Sequence, residues 1–192
     1  MNKILFNPFE KFTEVQLFVL GALFTIGGSL LGYLFNSRYD GVLDQHITPV
    51  ITLAQPFIDN AINTAALFVL LCIVGFIINK KTRLIDILNT ALIARSPFYL
   101  LSFGNIGGFM NELESKINPN NPLDIKFTPT DIAVLGVFSI FAIAFLIWFV
   151  VLLYNGFKTA TNLKLTPHKI AFAFAIILAE ALSKIVIGLF NY

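Results

Sequence analysis

The residues that could do chemistry in this sequence are a few polar side chains set in long apolar stretches. Residues 83–103 read RLIDILNTALIARSPFYLLSF, and residues 168–190 form a second stretch that also contains charges. Charged side chains at membrane depth are costly, and they usually face a protein interior or a watery cavity. We therefore treat them as the candidate site. This intramembrane polar cluster comprises Asp86, Asn89, Arg95, Glu180 and Lys184.

Two members of the cluster are predicted to lie at the same depth. Arg95 lies 12 residues after Arg83, and Glu180 lies 12 residues after His168. A helix rises 1.5 Å per residue, so each charge is roughly 18 Å along its span. That depth is near the middle of a hydrocarbon layer ~30 Å thick. We predict an ion pair between Arg95 and Glu180 that clamps the third span to the fifth.

The other charges of the cluster are expected closer to the ends of the spans. Lys184 follows Glu180 by one turn, in the favourable Glu-then-Lys order, so it could share that carboxylate. It could also snorkel outward or reach Asp59. Asp86 is three residues from Arg83, and Arg83 or the nearby lysines are its expected company.

Three interpretations of the cluster remain open from sequence. The charges could do no more than fix the positions of the helices, because a buried ion pair without water implies tight geometry. They could line a polar cavity or an ion path, since intramembrane ionisable groups often mark function. They could also form a polar surface that docks another membrane protein.

No catalytic, cofactor-binding or metal-binding residue is predicted. Walker A, HExxH and GxSxG motifs are absent from the sequence. Ser96 and Ser102 have no histidine nearby in sequence to activate them. Asp40, Asp44 and His46 could in principle ligate a metal, but a solvated acidic loop is favoured because metal sites need a closed ligand set.

The composition indicates a single polytopic membrane domain over residues 1–192, of all-α class. Only 12% of the residues are charged and 57% are hydrophobic, whereas a soluble domain has roughly 25% charged residues. The net charge of +2 predicts no nucleic-acid partner, and a lone Cys72 excludes a disulfide framework. The polar cluster must be positioned by five predicted spans: residues 16–35, 58–78, 83–103, 132–154 and 168–190.

The segments between the spans carry weaker signals. Residues 1–15 suit a short helix at the membrane surface or a polar lead-in with exposed aromatics. Within residues 36–57, the apolar part at 47–57 (ITPVITLAQPF) is too short and too proline-broken to span, but could dip into the interface. Residues 109–117 could form a short amphipathic helix, and residues 118–122 (NPNNP) read as a turn.

Proline and glycine predict two local features inside the spans. Pro97 is expected to kink the third span and to free a carbonyl about one turn earlier. Gly28 and Gly32 in the first span have the GxxxG spacing that lets another helix approach closely, although such spacings are common by chance.

The distribution of basic residues predicts the orientation of the chain. With five spans, eight Lys and Arg residues fall on the side of the amino terminus and three on the other side. The positive-inside rule then places the amino terminus in the cytoplasm and Tyr192 outside.

Several motifs resemble those of bacterial Yip1-family membrane proteins. The opening LFNPFEKF resembles the start of that family, and Ala94-Arg95-Ser96-Pro97 is similar to its proline-containing third helix. The stretch from Trp148 to Ala160, followed by LTPHKIAFAFAI, resembles its fourth and fifth helices. The resemblance covers nearly the whole chain, although its motifs are degenerate.

The resemblance implies a non-enzymatic integral protein of the bacterial inner membrane. Eukaryotic relatives bind Rab-type GTPases and act in vesicle traffic and membrane shaping. They carry a long cytoplasmic amino-terminal region, whereas this chain has only about 15 residues before its first span, which puts GTPase binding in doubt. The family supplies no catalytic residues.

Two functions are therefore carried forward. The first is a scaffold or accessory subunit in membrane organisation or trafficking, with the lipid bilayer and another membrane protein or a second copy as partners. The alternative is a small transporter or ion-pathway component that uses the intramembrane charges. No convincing internal repeat is found, which argues mildly against transport.

Overall fold

The bundle consists of five helical segments that are long and apolar enough to cross a membrane, so the expectation of an all-α integral membrane protein is confirmed. A computed structural model describes residues 2–117 and 126–190. Four of the spans are continuous helices, and the third is segmented. The continuous spans are α2 (Glu14–Leu34), α3 (Ala54–Ile78), α7 (Pro129–Thr161) and α8 (Thr166–Leu189).

Shorter elements complete the described chain. Before α2 come α1 (Asn2–Phe6) and a 3-10 turn, Pro8–Glu10. A hairpin of β1 (Ser37–Arg38) and β2 (His46–Ile47) joins α2 to α3. The third span comprises α4 (Leu84–Ala94), α5 (Ser96–Tyr99), a 3-10 segment (Leu100–Gly108) and α6 (Phe109–Ser115).

Side-chain caps fix where two of the spans begin. Thr13 accepts a hydrogen bond from the Gln16 amide, and the Gln16 side chain accepts one from the Thr13 amide. Thr128 and Asp131 form the same reciprocal capping box at the start of α7. Each box satisfies amide groups that have no partner within the helix.

The third span is interrupted at Arg95, two residues before Pro97. Proline has no N–H to donate to the carbonyl four residues earlier, which belongs to Ile93. The Ser96 hydroxyl donates to that carbonyl instead, at 2.8 Å. The chain then continues as short helical segments, which leaves Arg95 at the junction between α4 and α5.

The helices pack with α3 against α8, and with α4 between α2 and α7. The largest core cluster includes Leu67, Leu71 and Phe149, and the rings of Phe157 and Phe172 stack with centroids 5.0 Å apart. We call the end of the bundle that holds the hairpin the hairpin face. The opposite end, where α2 begins, is the amino-terminal face.

The remaining sequence expectations have mixed outcomes. The amphipathic helix expected at 109–117 is confirmed as α6, whereas the turn expected at 118–122 lies outside the described residues. α1 is a helix whose last carbonyls, on Leu5 and Phe6, accept hydrogen bonds from Trp148 and Asn155 of α7. Of the segment 47–57, the last four residues form the first turn of α3.

The GxxxG spacing of α2 marks close contacts with two other elements. A Cβ atom on Gly28 would overlap the ring of Tyr99 in α5, and one on Gly32 would lie 2.9 Å from the Tyr39 ring. Gly27, the neighbour of Gly28, has open space around its Cα. The glycines therefore let aromatic rings lie against the backbone of α2.

Replacing these neighbouring glycines by alanine should have opposite effects. Gly28→Ala should lower the free energy of unfolding by about 1–3 kcal/mol, because the added methyl group overpacks against Tyr99. Gly27→Ala should be neutral or raise it by up to about 1 kcal/mol, since alanine favours the helix. Thermal unfolding in one detergent compares the two variants, and equal effects would contradict the close Tyr99 contact.

Candidate intramembrane polar site

The site is built around a hairpin loop that enters the bundle. Residues 39–43 follow β1 and form the first part of the loop that leads to β2. The side chains of Tyr39 and Val42 are fully buried. The Tyr39 hydroxyl donates to the Gly28 carbonyl at 2.8 Å, and the Asn63 amide donates to the Tyr39 carbonyl at 2.7 Å. The loop is thus inserted among the helices, a burial that the sequence does not predict. Burial raises the pKa of Tyr39, so its hydroxyl remains neutral and available as a donor.

An ion pair holds the base of this loop to α3. Arg38 donates from Nε and from Nη2 to the two carboxylate oxygens of Asp59, each at 2.8 Å. The Tyr39 amide also donates to Asp59, at 3.3 Å. A bidentate pair fixes direction as well as distance. Asp59, which the sequence offered as one possible partner of Lys184, therefore engages Arg38 instead.

Arg95 is fully buried and is held by neutral groups. Its Nη1 donates to the Val42 carbonyl at 3.2 Å, and its Nη2 donates to the Asn60 side-chain oxygen at 3.0 Å. The guanidinium carbon also lies 5.9 Å and 5.8 Å from the ring centroids of Phe98 and Tyr99. A planar, delocalised cation is suited to such aromatic contacts.

Glu180 contacts the peptide group that joins Val42 to Leu43, whose carbonyl oxygen is bound by Arg95. Its Oε2 accepts a hydrogen bond from the Leu43 amide at 2.7 Å. The Val42 carbonyl and the Leu43 N–H belong to one peptide unit, so this unit lies between Arg95 and Glu180. The predicted direct ion pair is therefore wrong, because the hairpin places a peptide dipole between the two charges. We call this unit the bridging peptide.

Two further contacts complete the site on the α8 side. Lys184 pairs with Glu180 at 3.3 Å, as one of the three sequence alternatives proposed, and with Asp44 at 2.6 Å. The Ser183 hydroxyl accepts a hydrogen bond from the Val42 amide at 3.2 Å. A Cβ atom on Gly41 would lie 2.6 Å or less from both carboxylate oxygens of Glu180. Glycine at this position permits the approach of the carboxylate.

The remaining members of the cluster lie apart, toward the amino-terminal face. Asp86 pairs with Arg83 at 2.7 Å, as the spacing predicted, and Arg83 also pairs with Glu14 at 2.6 Å. These carboxylates raise the pKa of Arg83, with Asp86 having the larger effect. Asn89 donates to the Glu14 carbonyl at 2.9 Å. This group ties the start of α2 to α4.

The acidic loop residues have separate partners. His46 pairs with Asp40, and this hydrogen-bonded contact raises the pKa of His46. Asp44 pairs with Lys184. Within residues 2–117 and 126–190, no group of three His, Cys, Asp or Glu side chains is arranged to hold a metal.

Sequence reasoning missed the residues that hold the loop. Asn60 and Asn63 are fully buried on one side of α3, and both contact groups that meet the loop. The available signal was the run Asp59, Asn60, Asn63 and Thr64 at helical spacing within an apolar span. That run predicts a polar face, but only the position of the hairpin shows what the face binds.

The described clefts of the bundle do not include Arg95 among their lining residues. One cleft, of about 320 Å³, lies between α2, α3 and α4 and is lined in part by Ser29, Asn60 and Thr64. Another, of about 390 Å³, lies beside the hairpin and α7 and is lined in part by Leu43 and Asp44. Both border residues of the polar site, while the guanidinium itself remains enclosed.

No family model, curated protein or solved structure matches this chain.

Removing the buried guanidinium should destabilise the protein strongly. Arg95→Leu leaves the Val42 carbonyl and the Asn60 oxygen without their donor, at about 1–3 kcal/mol for each buried group. The exposed Lys169 provides a control, since Lys169→Leu removes a basic residue from α8 outside this contact. Thermal unfolding in detergent would contradict the assignment if both variants had the same midpoint.

Arg95 and Glu180 should be energetically coupled although they do not touch. The bridging peptide transmits the interaction, so Arg95→Leu combined with Glu180→Leu should depart from additivity by about 0.5–3 kcal/mol. The four unfolding free energies of the double-mutant cycle measure this coupling. Additive effects would show that the bridging peptide does not link the two charges.

The His46–Asp40 pair should make stability depend on pH in one direction. Because the pKa of His46 is raised, the stabilisation that this pair gives the folded state is complete below about pH 6.5, the ordinary pKa of histidine. This stabilisation is lost as the pH rises through the pKa of His46 in the folded state. Its size should stay below about 1 kcal/mol because the pair is partly exposed. Unfolding of wild type, His46→Gln and His168→Gln is measured across this range.

Only His46→Gln should flatten the decline in stability at higher pH. The other histidine variant should retain the wild-type decline. Parallel curves for all three proteins would refute the His46 assignment.

Proposed function

We propose that this chain is a non-enzymatic integral membrane scaffold or accessory subunit, acting in membrane organisation or trafficking. The observation that carries the proposal is the complete burial of Arg95 against the Val42 carbonyl and Asn60. A side chain used in this way joins elements of the bundle. The intramembrane charges are then structural, and function lies in what the rigid bundle holds in place.

The contacts of the other charges support the same proposal. Glu180 is engaged by the Leu43 amide and Lys184, and Asp86 is engaged by Arg83. An ion path would require such groups to exchange their protein partners for water or substrate during each cycle. Breaking them would also release the hairpin, which is buried between several helices.

The finer assignments are part of the proposal. A relationship to the Yip1 family rests on the motifs of residues 5–12, 94–97, 148–160 and 165–176. The excess of basic residues on the amino-terminal face supports a cytoplasmic amino terminus. The location in a bacterial inner membrane rests on the same family resemblance. The expected partner is another membrane protein.

Two measurements on the full chain test the proposal. Complexes are first extracted from native membranes in a mild detergent and separated by size without denaturation. A complex that contains this chain and a second membrane protein is expected. Proteoliposomes that contain the purified chain are then loaded with a pH-sensitive dye and should show no proton flux above empty vesicles.

The ion-pathway alternative gives the opposite pattern. A monomeric chain that conducts protons, with flux lost in Glu180→Gln, would overturn the scaffold proposal. Glu180→Gln keeps an oxygen that can accept from the Leu43 amide, so it removes the charge with little change to the bridging peptide. Flux retained in this variant and in wild type alike would also overturn the scaffold proposal, and would show that conduction does not need the Glu180 charge.

A further inference from the structure

A second site has no hairpin residue in its lining and contains none of the charged residues described above. It is a cleft of about 380 Å³ between the amino-terminal segment, α2, the α4–α5 junction and α7. Its walls include Leu17, Leu20, Ile93, Pro97, Leu100 and Leu152. We propose that this cleft binds one acyl chain of a membrane phospholipid from the leaflet at the amino-terminal face.

The cleft lies beside the point where the third span is interrupted. Arg95 separates α4 from α5, and Ile93 and Pro97 on either side of it both line the cleft. Leu20 of α2 is also part of the lining.

The amino-terminal segment covers one end of the recess. Leu5 and Pro8 line the cleft, and the Leu5 carbonyl accepts a hydrogen bond from Trp148 at 2.8 Å. Asn155 holds the next carbonyl, on Phe6, at 2.8 Å. α1 is therefore fastened across the cleft by two hydrogen bonds to α7, instead of hanging free at the surface.

The chemistry of the lining selects hydrocarbon. The two side chains with hydrogen-bonding groups in the lining are Ser96 and Trp148, and both are already engaged. The Ser96 hydroxyl donates to the Ile93 carbonyl, and the Trp148 indole donates to the Leu5 carbonyl. A ligand that needs hydrogen bonds finds no free side-chain partner there, whereas an unbranched apolar chain needs none.

The dimensions favour an acyl chain over a helix. The lining runs from Leu17 to Phe24 along α2, which is roughly 10 Å at 1.5 Å per residue. One helical turn with its side chains fills about 400 Å³, taking the ordinary helix diameter and pitch. The whole cleft is therefore no larger than one turn of a helix, and its lining extends along α2, the direction in which lipid chains also run.

Trp148 supplies a built-in reporter, because it is the single tryptophan of the chain and it lines the cleft. The protein is reconstituted with phosphatidylcholine or phosphatidylglycerol whose acyl chain carries bromine, a quencher of tryptophan fluorescence. It is then extracted in mild detergent without added lipid. Retained lipid is counted by native mass spectrometry, and Trp148 fluorescence is compared with a sample prepared from the unbrominated lipid.

Leu20→Phe and Leu23→Phe form a matched pair for this experiment. Leu20 lines the cleft, whereas Leu23 lies one turn further along α2, is 58% exposed and is not part of the lining. Phenylalanine at position 20 should fill the cleft, while phenylalanine at position 23 should add only lipid-facing surface. Leu100→Phe fills the cleft from the other wall and serves as an independent second variant.

We expect wild type and Leu23→Phe to retain one lipid with either headgroup, and to lose about half or more of their Trp148 fluorescence to the bound bromine, because a pocket encloses most of its ligand. Leu20→Phe and Leu100→Phe should retain none and remain unquenched. Equal retention or equal quenching in all four proteins would overturn the proposal. Retention that follows the headgroup and ignores Leu20→Phe would overturn it as well.

Discussion

The structure depends on keeping one buried guanidinium solvated by the protein itself. A charge moved from water into an apolar interior carries a large penalty unless other dipoles replace its hydration. Arg95 finds these dipoles in the Val42 carbonyl, the Asn60 side chain and two aromatic faces. These contacts bring the inserted hairpin, the third span and an asparagine of α3 together around one cation.

The bridging peptide makes the contacts of Arg95 and Glu180 cooperative. Its carbonyl accepts from Arg95 and its amide donates to Glu180, so each charge orients the same dipole in the sense that favours the other. In a low dielectric, such aligned groups strengthen one another. Gly41 lets the carboxylate approach, and the Arg38–Asp59 pair holds the base of the loop. Helices that are distant in sequence are thereby joined through a loop.

The sequence predicts the helices better than the site because the two rest on different signals. Apolar length defines a span locally, so the existence of all five spans follows from composition. Arg95 and Glu180 lie at the matching depth that their positions in the sequence predict, because both contact one peptide group. The sequence does not predict that the loop between β1 and β2 belongs to the site. A short, polar and proline-flanked segment is typical of a surface loop, and its burial follows only from tertiary contacts with Asn63 and Gly28. The pairing of Asp86 with Arg83, by contrast, is set by helical spacing and was predictable.

The bridging peptide also imposes an order on assembly. Leu43 and Glu180 are 137 residues apart in the chain, so the loop is synthesised long before the carboxylate that secures it. At ordinary synthesis rates this delay is roughly 7–27 s. Throughout that interval Arg95 and the loop have no access to Glu180. The contacts of the bridging peptide are therefore complete only once α8 has been made, and a chain that stalls before α8 would leave the loop without the carboxylate that secures it.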